Sequence, residues 1–273
     1  MAKGKLSRRL FLFGGALAGL SYLYYQVKSI AVTKYAVPVK NLPPPFHGFT
    51  ILHLTDLHSK EYGARQERLL ELINSHEFDM VAITGDLVDK DKRQSKPALD
   101  LIQGLPQKPV FFVPGNHEWW TNYEIRDALL WEGVQLLENT NYQFNKGEEH
   151  IWIAGVDDPF LQKHNLDQAL AGTGDDMPRL LLAHAPDIYP SAMQTGVDLV
   201  MAGHTHGGQV RLPVLGALFV PGQGFLPQLD YGLFSTGSST MVINGGLGES
   251  ILPLRFYNPP EIVLITLFNA ATS

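Results

Sequence analysis

Five short apolar runs in this chain each end in a turn that carries aspartate, asparagine or histidine. Ile51-Leu52-His53-Leu54-Thr55 leads into Asp56-Leu57-His58, and Met80-Val81-Ala82-Ile83-Thr84 into Gly85-Asp86. Val110-Phe111-Phe112-Val113-Pro114 leads into Gly115-Asn116-His117-Glu118, and Leu180-Leu181-Leu182-Ala183 into His184. The fifth, Val197-Asp198-Leu199-Val200-Met201-Ala202, leads into Gly203-His204-Thr205-His206-Gly207. Runs of this length and composition are buried strands. In open α/β sheets the ligand crevice lies at the carboxyl ends of the strands. The pattern therefore constrains the chain to a sheet fold that brings five turns to one edge.

Those turns offer Asp56, His58, Asp86, Asn116, His184, His204 and His206, seven oxygen and imidazole donors in a chain without cysteine. Such donors suit Mn, Fe, Zn or Mg, with Mn favoured here, rather than a structural thiolate zinc site. Seven are too many for one tetrahedral ion and suit two divalent metal ions sharing a carboxylate. Two metals ~3.5–4 Å apart form the usual clamp for in-line displacement at phosphorus. Taken singly, Asp56 or Asp86 would serve equally as a helix N-cap, and Asn116 as a turn residue. It is the set that points to metal.

The order D-x-H, G-D, G-N-H-E, H, G-H-x-H, spanning about Phe49 to Gln209, resembles the calcineurin-like metallophosphoesterase superfamily. The extended G-H-T-H-G-G-Q, followed by G-L-G-E-S and P-P-E-I, is similar to its bacterial YaeI/YkuE-type phosphodiesterase branch. The resemblance implies that Asp56, His58 and His206 hold one metal, that Asn116, His184 and His204 hold the second, and that Asp86 bridges them. It also implies phosphodiester hydrolysis through a metal-bridging hydroxide. His117 would contact the phosphate and protonate the leaving oxygen as general acid, with Glu118 orienting its imidazole. In the branch, the carboxyl-terminal G-L-G commonly follows an arginine, where this chain has Gly245.

Two further assignments compete. One is a pyrophosphatase acting on a nucleotide-linked lipid such as UDP-2,3-diacylglucosamine. The other is a non-catalytic metal-binding scaffold, against which the intact His117 argues. His53 sits inside the first run and is expected to face the core. His47, His76, His150 and His164 carry no motif and read as surface residues.

The amino terminus is a separate object. Residues 1–40 hold Lys3, Lys5, Arg8, Arg9, Lys28, Lys34 and Lys40 and no acidic residue; the remaining chain keeps 14 basic and all 27 acidic residues, a net of −13. So acidic a body is a poor nucleic-acid binder, and no nucleic-acid partner is expected. Leu10–Val27 is an uncharged run of 18 residues, the lower limit for a membrane span. Ser7-Arg8-Arg9-Leu10-Phe11-Leu12 resembles a twin-arginine export signal, with Phe13 where the pattern ends in lysine. Residues 1–31 are therefore expected to be a signal or membrane anchor, and 32–47, with prolines at 43–45, a linker. Residues 48–270 would be the catalytic domain, exported or anchored on the outer side of the cytoplasmic membrane, with the cytoplasmic face as the alternative. All five blocks lie beyond Phe49, so residues 45–273 are expected to suffice for activity. The enzyme is expected to be monomeric, with a lipid- or envelope-linked diester as substrate.

Periodicity predicts strands at Phe49–Thr55, Asp79–Thr84, Val110–Val113 and Val134–Leu137, alternating with helices over Arg65–His76 and around Pro97–Gln103 and Asn122–Trp131. After residue 140 strands dominate: Tyr142–Asn145, Ile151–Val156, Arg179–Ala183, Asp198–Ala202, Val210–Leu212, Thr240–Ile243 and Glu261–Leu267. The pattern predicts an α/β fold of two packed mixed sheets with helices outside, a four-layer αββα sandwich. Trp119-Trp120 either pack against the next helix or wall the site. The Gly- and Pro-rich stretch Leu212–Phe234 is either a hairpin covering the sheet or an apolar lip.

Overall fold

The structure, a computed structural model, describes residues 14, 15, 19, 21–220, 223–237, 239–249 and 254–270. Its strands are β1 (Ala31–Val39), β2 (Thr50–Leu54), β3 (Met80–Thr84), β4 (Val110–Val113), β5 (Gln135–Leu136), β6 (Thr140–Lys146), β7 (Glu149–Gly155) and β8 (Arg179–Leu182). They continue with β9 (Leu199–Ala202), β10 (Arg211–Leu212), β11 (Gly216–Ala217), β12 (Phe219–Val220), β13 (Gly224–Phe225), β14 (Gly232–Thr236), β15 (Ser239–Ile243) and β16 (Glu261–Asn269). Two six-stranded sheets result, ordered β1-β16-β2-β3-β4-β5 and β14-β15-β9-β8-β7-β6. β2 to β5 run parallel, as do β7, β8, β9 and β15, while β16 opposes β2.

Side-chain alternation along each strand builds the layers. Ile51, Met80, Phe111 and Val263 of the first sheet meet Ile153, Leu180, Leu199 and Val242 of the second in a dry central layer. The alternate residues Leu52, Val81, Ile83 and Phe112 pack under the helices Glu67–Asn74 and Lys96–Gly104, through Leu69, Ile73, Ala98 and Leu101. On the far side Leu181, Val200 and Met241 pack against Ile188, Tyr189 and Ala192. The four-layer αββα arrangement predicted from periodicity is the arrangement found.

Several local expectations need correction. Residues 32–47 are not all linker: Ala31–Val39 pairs with β16 along its whole length, from Ala31 opposite Glu261 to Val39 opposite Asn269. Lys34 and Pro38 argue against a central strand, but β1 is an edge strand, where proline's missing N–H costs no ladder bond. Val37 and Val39 are fully buried in the central layer and Leu42 nearly so. The helix expected over Arg65–His76 is shorter, Glu67–Asn74, because Arg65 and Gln66 adopt positive φ. The one expected around Asn122–Trp131 covers only Arg126–Trp131, and a short helix, Asn116–Trp120, precedes it. Residues 21–28 are helical, whereas the Ser7–Leu12 motif and part of the Leu10–Val27 run lie outside the described residues. Among the described residues no helix is long and apolar enough to cross a membrane.

The buried face of β1 carries a direct consequence. Losing Val37, Val39 and Leu42 removes about 1.5–3 kcal/mol of burial each. A chain beginning at residue 45 should lose about 4.5–9 kcal/mol of stability by that measure and be largely unfolded, contrary to the minimal domain expected from the motifs. A chain beginning at Ser29 should unfold cooperatively near the full-length temperature. Thermal melts of the two truncations check this; equal melting temperatures would show β1 to be dispensable.

Candidate metal centre

The parallel strands β2, β3 and β4 of one sheet and β8, β9 and β15 of the other end along one rim. The turns that follow them interlock through backbone hydrogen bonds. Asp56 N donates to Gly85 O, His58 N to Asp86 O, and Gly203 N to His184 O. Between sheets, His184 Nδ1 donates to Thr84 O at 2.8 Å, which turns its Nε2 toward the site. Glycine is required where the rims touch. A Cβ on Gly85, whose φ is +85°, would lie 2.6 Å from Gly115 N, and one on Gly203 would lie 2.4 Å from Asp56 Oδ2.

All seven donors named from the sequence converge there. Asp56 Oδ1 is 3.3 Å from His206 Nε2 and 3.6 Å from His58 Nε2. Asp86 Oδ2 is 3.3 Å from His184 Nε2 and 3.6 Å from His58 Nε2, so it faces both halves of the site. Asn116 Oδ1 lies 3.1 Å from His184 Nε2, which lies 3.1 Å from His204 Nδ1. Asp56, His58 and His206 form one cluster able to hold a cation, and Asp86, His184 and His204 another. His204 Nε2 and His206 Nδ1 are buried and have no hydrogen-bond partner.

The local chemistry suits cations. Asp56 Oδ1 is buried and accepts no hydrogen bond, a costly state for a carboxylate oxygen without a cation. The His58 and His206 Nε2 atoms face each other at 3.0 Å, as His184 Nε2 and His204 Nδ1 do at 3.1 Å. One nitrogen of each pair must then donate a proton to the other, and a cation bound between them would take the place of that proton. Burial pushes His204 down to about 4 and His206 down to about 3, so both present neutral, ligating imidazoles at pH 7. Burial alone would lower His58 too, but the carboxylates of Asp56, Asp89 and Asp86 around it raise it to about 9. Against the burial that would raise them, the surrounding histidines hold Asp56 and Asp86 well below the usual carboxylate range.

His117 stands beside this set with its ring 4.4 Å from that of His58. Its Nδ1 accepts the Lys90 backbone N–H at 3.0 Å, which leaves the proton of the neutral ring on Nε2. Glu118 does not orient this ring as the sequence suggests. Its carboxylate accepts the backbone N–H of Asp86, Leu87 and Gly115 at 2.7, 2.8 and 2.9 Å. It clamps the Asp86 turn, since successive helical residues point in different directions. His53 faces the core as expected, donating to or accepting from Thr84 Oγ1 at 2.9 Å between the sheets. His47 is exposed, but His76, His150 and His164 are half-buried.

Other residues at the site were not singled out by the sequence. Asp89, three residues after Asp86, lies 3.3 Å from His58 Nδ1. Asn258 donates to His206 O at 2.7 Å. Arg255, fully buried, donates to the carbonyls of Gly245 and Gly246 at 2.9 and 3.1 Å and also to that of Gly248. A guanidinium therefore reaches the turn whose own position 245 lacks one. Asp89 had a signal in its spacing from Gly85-Asp86; Arg255 and Asn258 had none.

A cleft of about 520 Å³ opens over the donors, lined by Asp86, Asn116, His117, His204 and His206 below and by Trp120, Phe160, Leu218 and Phe219 above. The two tryptophans divide the roles expected for the pair. Trp119 packs on the core and donates to Asp157 Oδ1 at 2.7 Å, while Trp120 walls the cleft 5.0 Å from the His117 ring. The described residues of Leu212–Phe234 likewise contribute to two small hairpins, β10–β11 and β12–β13, and supply Leu218 and Phe219 to the cleft wall.

Residues 49–208 match the family model described as calcineurin-like phosphoesterase. The chain is 31% identical over 283 residues to the uncharacterized metallophosphoesterase YkuE of Bacillus subtilis (strain 168), covering 96% of this chain and 98% of that protein. It is 27% identical to YpbG of the same organism, covering 92% of this chain and 93% of that one. It is 30% identical to a transmembrane protein with metallophosphoesterase domain of Danio rerio, covering 88% of this chain but only 57% of that longer protein. With this match spanning more than half its length, and with clustered residues able to bind divalent metal, the chain belongs to the calcineurin-like metallophosphoesterase family.

Proposed function

We propose that the chain hydrolyses phosphodiesters with two divalent metal ions, Mn favoured, held at the strand-end rim. Asp56, His58 and His206 would hold one ion, Asn116, His184 and His204 the other, and Asp86 both. The observation that carries this reading is the position of Asp86 Oδ2, within 3.3–3.6 Å of an imidazole from each cluster. Bound there, the ions supply Lewis acidity toward a phosphoryl oxygen and make water acidic enough to attack at neutral pH. The remaining work falls to the chain. The His117 Nε2–H donates to the phosphate and then to the departing alkoxide oxygen, stabilising the charge that develops there, while water completes the protonation and the ring keeps its own proton. Asp89 and Thr84 O fix the ring orientation of His58 and His184. Trp120 and Phe160 exclude bulk water from the cleft.

A diester is favoured over a monoester by charge and shape. Lys90 is the one lysine or arginine among the described residues lining the cleft, and Asp89 and Asp91 flank it. A monoester dianion would want more positive charge, whereas the apolar wall of Trp120, Phe160 and Phe219 suits a second ester group. The twin-arginine-like Ser7–Leu12 supports a catalytic domain outside the cytoplasmic membrane, where lipid- or envelope-linked diesters are found. Assay of the full chain with added Mn against chromogenic diesters, monoesters and pyrophosphate-linked lipids tests the reading. Diester turnover should dominate; a preference for monoesters or pyrophosphates, or no metal-dependent turnover, would overturn it.

Asp86→Asn should weaken both ions, because one bridging charge is lost to each, whereas His184→Ala should chiefly weaken one. Metal content after dialysis measures this, and two ions kept at unchanged affinity in Asp86→Asn would remove the bridging assignment.

His117→Ala should keep both ions and the fold yet lose a factor of ~10²–10⁴ in turnover, the scale of a positioned acid. The loss should be smaller for nitrophenyl esters, whose leaving group needs little protonation, than for alkyl esters. Equal losses on both would leave His117 a phosphate contact only, and loss of an ion would make it a ligand.

A further inference from the structure

Beside the cleft, the chain exposes apolar side chains that its own packing does not use. Residues 212–229, eighteen in a row, contain no charged side chain, in a body whose net charge is −13. The described ones form the two small hairpins, which carry Leu215 in the turn of the first and Phe225 and Leu226 on and just after the returning strand of the second, at 62%, 82% and 60% exposure, with Val214 fully exposed. Val214 has φ 71° and Leu226 φ 50°. A left-handed backbone is strained for a leucine and more so for a β-branched valine, and glycine or asparagine would sit there without that strain. Val214 and Leu226 thus hold large apolar groups in water at a backbone cost, while Phe225, packed on one side by the Phe219 ring at 5.3 Å, keeps most of its surface in water.

The hairpins are tied to the amino-terminal helical residues. Phe256 donates its N–H to Gln209 O at 2.9 Å and accepts Arg211 N–H at 3.0 Å, at the root of the first hairpin. The same Phe256 ring packs edge-on against Tyr22, 5.8 Å away. Gln26 and Val27 are anchored nearby, Gln26 Oε1 accepting from Asn258 N at 3.2 Å and Val27 O from Lys60 Nζ at 3.1 Å. Tyr24 and Tyr25 stand exposed on this helix, and immediately before it the chain runs uncharged back to Leu10. Tyrosines at the end of an uncharged run are the usual signature of a membrane–water boundary. Where that boundary lies, the roots of the hairpins lie beside it.

We propose that the turn of the first hairpin at 213–215 and the returning strand of the second at 224–226, together with the exposed tyrosines of helical residues 21–28, form a surface that seats on a lipid bilayer. Val214, Leu215, Phe225 and Leu226 enter the acyl region, and the absence of charge from 212 to 229 removes the desolvation cost of that entry. The metal cleft then opens at the bilayer surface, because Leu218 and Phe219, which lie between these two segments in the chain and pair with the second, line its mouth. This placement rests on the exposed surface and stands whether or not the cleft acts on a diester. A second copy of the chain is the competing occupant of the patch, and the experiment separates the two.

The chain has no cysteine, so single-cysteine labelling needs no prior substitution. Leu215→Cys, Leu226→Cys and, as control, Glu148→Cys at the turn between β6 and β7, each in the full chain, would carry an environment-sensitive fluorophore. Each is bound to phosphatidylcholine vesicles with and without doxyl-labelled lipid. The labels at 215 and 226 should shift to the blue and be quenched by the doxyl lipid, whereas the label at 148 should do neither. Adding Phe225→Ser and Leu226→Ser beside the label at 215 should roughly halve its quenching, which excludes insertion driven by the dye. Labels at 215 and 226 as water-exposed as the control would overturn the proposal. So would a blue shift that appears without vesicles and grows with protein concentration, which would assign the patch to self-association.

Discussion

The geometry of the site depends first on the contact between two sheet rims at Thr84, Gly85 and His184. The Thr84 carbonyl accepts a hydrogen bond from His184 across the sheets and another from Thr55 Oγ1 within its own sheet, at 2.9 Å. Gly85 lets the next turn pass against Gly115 with no side chain between them. Everything at the site hangs on this approach. It sets the distance from the β3 turn to the β8 turn, and hence whether Asp86 can reach His184 and His58 together. The dry central layer behind it, filled by residues such as Met80, Leu182 and Met201, holds the two rims at that separation.

The site is expensive in two ways, and the surrounding structure offsets both. Two carboxylates and several imidazoles are withdrawn from water, which disfavours their charged forms. In addition, Asp56, His58, Asp86, His204 and His206 all have positive φ between 47° and 66°. Each such residue costs on the order of 1–3 kcal/mol and persists only where neighbours over-determine it. Here they do. Thr55 and the His204 N–H both donate to Asp56 Oδ2, at 2.7 and 3.0 Å. The Glu118 carboxylate gathers the N–H groups of the Asp86 turn, and Asn258 and Arg255 fix the backbone of His206 and of the 245–248 turn. The donors are thus aimed by backbone strain and by hydrogen bonds from residues that touch no substrate.

That division explains what was legible in the sequence. The donors could be named because metal chemistry admits few residue types and because strand ends place them predictably. The alternation of Ile51, Leu52 and Leu54, or of Leu180 and Leu181, made the two-sheet core legible too. The supporting residues could not be read in the same way. Glu118 adjoins His117 in sequence and invited the wrong partner, because adjacency along a helix is not adjacency in space. Arg255 follows the 245–248 turn by several residues and reaches back to it, so the arginine missing at Gly245 has a counterpart that no local pattern reveals. β1 reads as linker because it carries the lysine and proline that an edge strand tolerates and a central strand would not.

The cleft walls join substrate choice to metal geometry. Phe160 lies 4.7 Å from the His204 ring and Trp120 lies 5.0 Å from His117, so the rings that exclude water also restrict two imidazoles. Lys90 in turn sits 4.9 Å over Trp120 while its own backbone N–H holds His117. The Phe160 loop is itself tied down by Asp158, whose carboxylate accepts the N–H groups of Phe160 and Leu161, each at 3.1 Å. A wall residue in this arrangement cannot be enlarged or removed for a new substrate without loosening an imidazole beneath it. Leu218 and Phe219 differ. They come from the hairpins, and no ring contact joins Phe219 to a histidine among the described residues; its ring partner is Phe225, 5.3 Å away. Substrate range can therefore change through the hairpin side of the cleft while the metal side stays fixed, and that hairpin side is also where the chain exposes its apolar side chains.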